Sequence, residues 1–374
     1  MKKIISVFAI VIAALLLSAC APNQSAPGAQ LGSMPTVEDL FTDPVPTVSP
    51  TYPTTKPGGT TTTEPNETTQ PNNNSTVLFG NIGMALMGEK QQDEIGTYYV
   101  YNGGEAVIPI KFMVSGNIAE KGIGVLLFVD GQPQPYKTDE DSEYAYLHIF
   151  YPSNIEHEIH NLAFVPVTGK QGDELEIYTA SVLHPTYSKS EGYTGMVYTS
   201  GSVILGSRLK YEQAPPAEGY PEKQQWLSDT SVSFVDVTAD EIRGWSDNDL
   251  RERIAYKFSV NETDDMSKRE VYVDPADEYI SVRYEIWGSP YVNYGLVFFV
   301  DNVPVIGTDV ESLLIEVKNG QKTVVQAKLD LKQFDGESVV YAILVPRNYR
   351  SSEVQTAAYL TCTNAIFLLD EKTQ

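Results

Sequence analysis

The side chains that could do chemistry in this 374-residue chain are four histidines, two cysteines, many carboxylates and a set of aromatic rings. The histidines are His148, His157, His160 and His184. His157-Glu158-Ile159-His160 brings two imidazoles close in sequence, and neutral imidazole is a good zinc ligand. On a strand, positions three apart face opposite ways. A centre there would need a turn or helix and a third ligand, so the pair reads as loop histidines. Asp139-Glu140-Asp141-Ser142-Glu143 and Asp247-Asn248-Asp249 offer the oxygens that calcium prefers. Neither has the glycine and closing glutamate of a twelve-residue calcium loop, and both read as solvated acidic loops. No metal and no cofactor is expected.

The nucleophile motifs are equally sparse. There is no G-x-S-x-G, and nothing in the sequence context points to a Ser-His-Asp triad. Paired carboxylates recur throughout so acidic a chain, so pairing selects none of them. The Walker-type phosphate loop and the Rossmann fingerprint are both missing from the sequence. The expectation is a protein that is not an enzyme, with an extracytoplasmic hydrolase as the remote alternative. The aromatics give the best hint of a ligand. Trp287-Gly288-Ser289-Pro290-Tyr291-Val292-Asn293-Tyr294 places three rings in one loop bearing Gly and Pro. Flat rings with polar tips suit stacking on sugars or anchoring a protein interface, which makes Trp287, Tyr291 and Tyr294 the candidate ligand-binding residues. Tyr144, Tyr146, Tyr151, Tyr187 and Tyr193 form a second, looser group. Core packing is the competing reading for both.

Charge narrows the partners. With 26 Lys+Arg against 49 Asp+Glu the chain has a formal net charge of −23. Nucleic acid is therefore not an expected partner, since phosphate contacts need clustered cations. A polybasic patch for anionic lipid is also lacking. Of the cysteines, Cys362 sits in a strand-like run where a small buried thiol is the default, and Cys20 lies near the start.

Lys2-Lys3 precede an apolar run over residues 4–17, followed by Ser18-Ala19-Cys20. This order describes a secretory signal, and the run is too short for a spanning helix. Leu17-Ser18-Ala19-Cys20 resembles the lipobox of bacterial lipoproteins. The resemblance implies that residues 1–19 are removed and that Cys20 carries diacylglycerol on its thiol. The membrane would then be a partner through that lipid, with the protein on the extracytoplasmic face. No disulfide remains possible if Cys20 is consumed in this way. Residues 20–76 are rich in Pro, Thr, Ser, Asn and Gly, with too few apolar residues to offset chain entropy. They read as a disordered tether that could reach roughly 170 Å at ~3.1 Å per residue.

The rest of the chain reads as two copies of one unit. Gly124-Val125-Leu126-Leu127-Phe128-Val129-Asp130-Gly131-Gln132-Pro133 returns as Gly295-Leu296-Val297-Phe298-Phe299-Val300-Asp301-Asn302-Val303-Pro304. Each reads as a buried strand ending in a tight turn, because Gly and Asn tolerate positive φ. Three further landmarks recur in the same order. Residues 106–112 match 278–284, Ala180-Ser181-Val182-Leu183-His184-Pro185 matches Tyr341-Ala342-Ile343-Leu344-Val345-Pro346, and Ser202-Val203-Ile204 matches Ala365-Ile366-Phe367. Short apolar segments separated by turn signals predict an all-β fold. The expected organisation is a β-sandwich over 77–209, a Pro-rich hinge over 210–225 and a second sandwich over 226–374. The strand-Asp-Gly-x-Pro feature resembles immunoglobulin-like modules of bacterial surface proteins, which implies fold more than function. Thr238-Ala239-Asp240-Glu241 has the capping-box pattern and predicts a short helix. The function expected is a surface binding or adhesion module for a protein or envelope component, with carbohydrate capture as the alternative.

Overall fold

The computed structural model describes residues 80–152, 158–188, 199–216, 220, 224–247, 249–261, 269–274, 276–307, 313–332, 334–347 and 360–371. Cys20, the 20–76 segment, His157 and Tyr193 lie outside the described residues. So does most of 217–223 within the expected hinge.

The fold is all-β. The first copy contributes β1 (Ile82–Leu86), β2 (Gln91–Asp93), β3 (Gly96–Tyr101), β4 (Ala106–Val114), β5 (Ile123–Val129), β6 (Gln132–Pro133), β7 (Leu147–Phe150), β8 (Glu158–Phe164), β9 (Glu174–Leu183) and β10 (Thr199–Tyr211). The second contributes β11 (Gln224–Asp236), β12 (Ile254–Val260), β13 (Glu270–Val273), β14 (Tyr279–Gly288), β15 (Asn293–Val300), β16 (Val303–Gly307), β17 (Leu313–Glu316), β18 (Gln321–Asp330), β19 (Glu337–Arg347), β20 (Thr361–Cys362) and β21 (Ile366–Asp370). One-turn helices α1 (Ile118–Lys121) and α2 (Asp249–Glu252) complete the elements among the described residues.

Each copy is an immunoglobulin-like sandwich. In the first, β1-β4-β8 packs on β2-β3-β10-β9-β5-β6, with β3 running parallel to β10. In the second, β12-β14-β18 faces β16-β15-β19-β21-β13, with β13 parallel to β21. Strand for strand the two match, β4 with β14, β5 with β15 and β9 with β19. The second copy adds β11, which pairs parallel with β16 at its start and antiparallel with β18 thereafter, joining both sheets into one of eleven strands. The expected Thr238 capping box forms, with Glu241 Oε2 accepting from the Thr238 amide at 2.8 Å. It closes a turn rather than starting a helix. Ser246 and Asp249 form an equivalent pair directly ahead of α2.

The repeated ten-residue stretch explains itself in this arrangement. In β5, Val125, Leu127 and Val129 enter the first core, while Leu126 and Phe128 point the other way. In β15, Leu296, Phe298 and Val300 enter the second core, while Val297 and Phe299 point outward. The outward sets meet each other and form a third apolar cluster with Tyr178, Ala180, Val182, Tyr341, Ile343, Val345 and Phe367. Both faces of these strands are therefore buried, which is why they read as unbroken apolar runs instead of alternating ones. Phe128 and Phe299 hold the same position in the two copies and touch edge to face, 6.2 Å between centroids. Contact between equivalent residues is the mark of an isologous, two-fold-like interface. The two sandwiches are thus paired face to face within one chain.

The turns that end these strands also seat across the interface. Asp130-Gly131 and Asp301-Asn302 all have positive φ, as a two-residue type I′ hairpin requires. Gly131 lies against Gly295 so closely that a Cβ on Gly295 would fall 2.5 Å from the Gly131 carbonyl oxygen. Asn302 Nδ2 donates to the Pro185 carbonyl at 3.1 Å. Arg347 Nη2 donates to Asp130 Oδ2 at 2.6 Å, with both side chains largely enclosed.

Candidate functional site

The three-ring loop starts where β14 ends. Trp287 pairs with Ala255 of β12, and Gly288 lies directly over the Arg253 carbonyl, leaving no room for a side chain. The Ser289 amide donates to that same carbonyl at 2.8 Å. This backbone path turns the rings apart. Trp287 is 8% exposed and Tyr294 fully buried in the second core, while Tyr291 is 55% exposed. The expectation of a shared stacking surface is corrected accordingly. Tyr294 belongs to a strand whose even-numbered positions face inward, so its ring packs instead of reaching a ligand. Tyr291 alone of the three is presented to solvent. The indole Nε1 of Trp287 and the Ser289 hydroxyl are enclosed and have no hydrogen-bond partner.

The second aromatic group also disperses. Tyr144 packs on Tyr220 under the Lys137 ammonium, Tyr146 is buried, and Tyr187 packs on Phe367 in the cluster between the copies. Tyr151 is exposed. These rings do not share one face.

The three described histidines are packed residues. His148 Nε2 lies 2.6 Å from the Tyr136 carbonyl, and its ring rests on that of Tyr136. His160, on β8, packs against Phe112 and Phe150. His184 is buried against Tyr187. Among the described residues no three His, Cys, Asp or Glu side chains converge as a metal site would require. In the acidic loop, Asp139 accepts from both the amide and the side chain of Asn161, and these bonds hold its carboxyl below the usual range. Asp141 accepts from the Glu143 amide. The loop's oxygens thus bond to the loop and its neighbour strand.

Two polar networks were not foreseen. Arg208, almost fully enclosed, binds Asp93 at 2.6 Å and Glu174, locking β2 and β10 together. Its guanidinium holds the Asp93 carboxyl far below its ordinary value. Lys322 joins Glu241 at 2.7 Å and Glu285 at 2.9 Å, tying the Thr238 turn to β14. No sequence signal would have shown these pairs, because their partners lie tens of residues apart. Cys362 is a free thiol in β20, and desolvation pushes it up to about 12.

Among the described residues, each copy has an open cleft. One of about 440 Å³ is lined by Glu89, Gln91, Tyr99, Asn102 and Glu105 of the first copy. The other, about 560 Å³, is lined by Asn293, Leu314, Ile315, Glu316 and Arg347 of the second. Neither gathers a nucleophile with a base.

No family model matches this chain. No curated protein matches it either. Among solved structures, one described as BspA_C_WT is similar at 10% identity, covering 76% of this chain and 99% of its own, with a TM-score of 0.18. A marsupial T cell receptor is similar at 12% identity over 75% of this chain and 99% of its own, TM-score 0.19. A chicken TCR is similar at 12% identity over 78% and 100%, TM-score 0.19. Likeness this slight carries no weight, and the sandwich assignment rests on the strand pairing above.

Proposed function

We propose that this chain is a lipid-anchored cell-surface protein whose paired sandwiches serve as a non-enzymatic binding or adhesion module for a protein or envelope component. The observation that carries the reading is the apolar cluster between the copies. It commits the outward faces of β5-β9 and β15-β19 to each other and leaves the loops and the opposite sheets for a partner. The lipobox-like Leu17-Ser18-Ala19-Cys20 and the Pro/Thr-rich stretch after it support a tethered placement on the extracytoplasmic face of the membrane. Two or more acyl chains hold a protein stably, so lipid on Cys20 would suffice as its anchor.

The anchor is tested by feeding cells a labelled fatty acid. Label should enter the wild type and be absent from Cys20→Ser; equal labelling would end the lipoprotein reading. Carbohydrate capture remains the second reading, favoured by the exposed ring of Tyr291. A glycan and cell-wall-polymer screen of the full chain separates the two. Saturable binding weakened by Tyr291→Ala supports sugar capture, and a blank supports a protein partner.

A further inference from the structure

β11 is the strand that the second copy adds, and among the described residues one of its edges has no partner beyond Leu227. It is 13 residues long. Its pairing with β16 stops at Leu227↔Gly307, whereas its pairing with β18 continues to Asp236↔Gln321. Among the described residues, nothing pairs with the other side of β11 from Ser228 onward. Edge strands are usually blunted by shortness, charge, proline or a bulge, and β11 has a bulge between Ser228 and Ser231 that leaves residues 231–236 as its regular part. β2 and β13, at the ends of the long sheets, have three and four residues, and β12 carries Lys257. In contrast, Thr230-Ser231-Val232-Ser233-Phe234-Val235 contains no charge and no proline. Val232 and Phe234 pair with Val325 and Thr323, which are buried, yet remain 45% and 38% exposed.

We propose that a second copy of this chain pairs along this edge, β11 against β11, antiparallel about a two-fold axis at Ser233. The strand is complementary to itself in that register. Val232 faces Phe234 of the second copy, and the reverse pair repeats the contact on the same side of the sheet. Aromatic and β-branched residues directly opposite are a favourable cross-strand pair. Ser231 meets Val235, and the bulge between Ser228 and Ser231 ends the paired stretch before Asp229, so no like charges stand opposite in a protein that carries −23 overall. The Lys318 ammonium, 3.5 Å from the centre of the Phe234 ring, stays in place over it. An extended peptide from another protein could use the same backbone edge, but only a second copy brings both Val–Phe pairs. Two copies this acidic repel at long range, so the dimer tightens as salt is added.

The test is the solution mass of the full-length chain in detergent, by light scattering, as concentration and salt are raised. The wild type should double in mass. Ser233 is exposed and sits on the axis, so Ser233→Asp and Ser233→Lys each set like charges face to face without touching a core. Each should weaken self-association by up to about fivefold, since like charges directly opposite are destabilising. An equal mixture of the two variants should restore the dimer by opposite-charge pairing. A wild type that stays monomeric at about 100 μM, where micromolar affinity would already pair it, overturns the proposal. So does a dimer that both charged variants retain at unchanged affinity, or a variant mixture that fails to reassociate. Phe234→Ser, which keeps the edge neutral, should also weaken the wild-type dimer; an unchanged affinity there contradicts the Val–Phe pairing.

Discussion

At the scale of single residues, the arrangement depends on a few charges removed from water. Asp130 and Arg347 are each enclosed and face one another across the interface between the copies. Removing one partner of a buried pair leaves the other charge uncompensated, at a typical cost of about 3–5 kcal/mol. Arg347→Met and Asp130→Asn should therefore each lower the urea midpoint, and the double variant should recover much of the loss. Additive losses would show that the two side chains do not act as a pair. The Asp93–Arg208 pair governs the acid limb. Because Arg208 depresses the Asp93 carboxyl, its contribution is complete above the ordinary value of 3.8 and is lost as pH falls toward the folded-state value. Asp93→Asn should thus be less stable than wild type at neutral pH, with the gap narrowing below about pH 4. A gap that widened in acid would contradict this assignment. These residues also mark where reading the sequence stops. Trp287, Tyr291 and Tyr294 look alike in a loop, but strand parity and the backbone path at Gly288 place them in three settings. Arg208 and Arg347 meet acids 115 and 217 positions away, separations that no local pattern encodes.

Among the elements, much was legible because local physics determined it. The Asp-Gly and Asp-Asn turns follow from the φ > 0 that a two-residue hairpin demands, and both occur where expected. The repeated apolar strand also occurs in both copies. That its second face would cover the other copy was not legible, since an apolar run does not say what lies on either side. The capping box at Thr238 formed its reciprocal bonds without a helix, because only Ile242 and Arg243 separate Glu241 from Gly244 and the Lys322 network holds the turn. β15 shows how closely the elements fit. Gly295→Ala would push a methyl into the Gly131 carbonyl. It should loosen the contact between copies while leaving the second core folded. Hydrogen exchange should accordingly speed up at β5 and β15 edge amides but not in β14, and uniform acceleration would instead indicate global destabilisation.

At the scale of the whole molecule, the two copies form a pair held in one fixed relation by their shared apolar cluster. Large hydrophobic contact between domains restricts their relative motion, whereas a polar one leaves them free to swing. Spin labels at exposed positions on the two copies, Ile159→Cys and Leu314→Cys, test this directly. The labelled chains also carry Cys362→Ser, because this half-buried free thiol would otherwise compete for the label. One narrow distribution of distances is the predicted result, broadening when Phe299→Asp puts a charge into the cluster. A broad distribution in the wild type would mean that the two sandwiches move independently and would contradict the account.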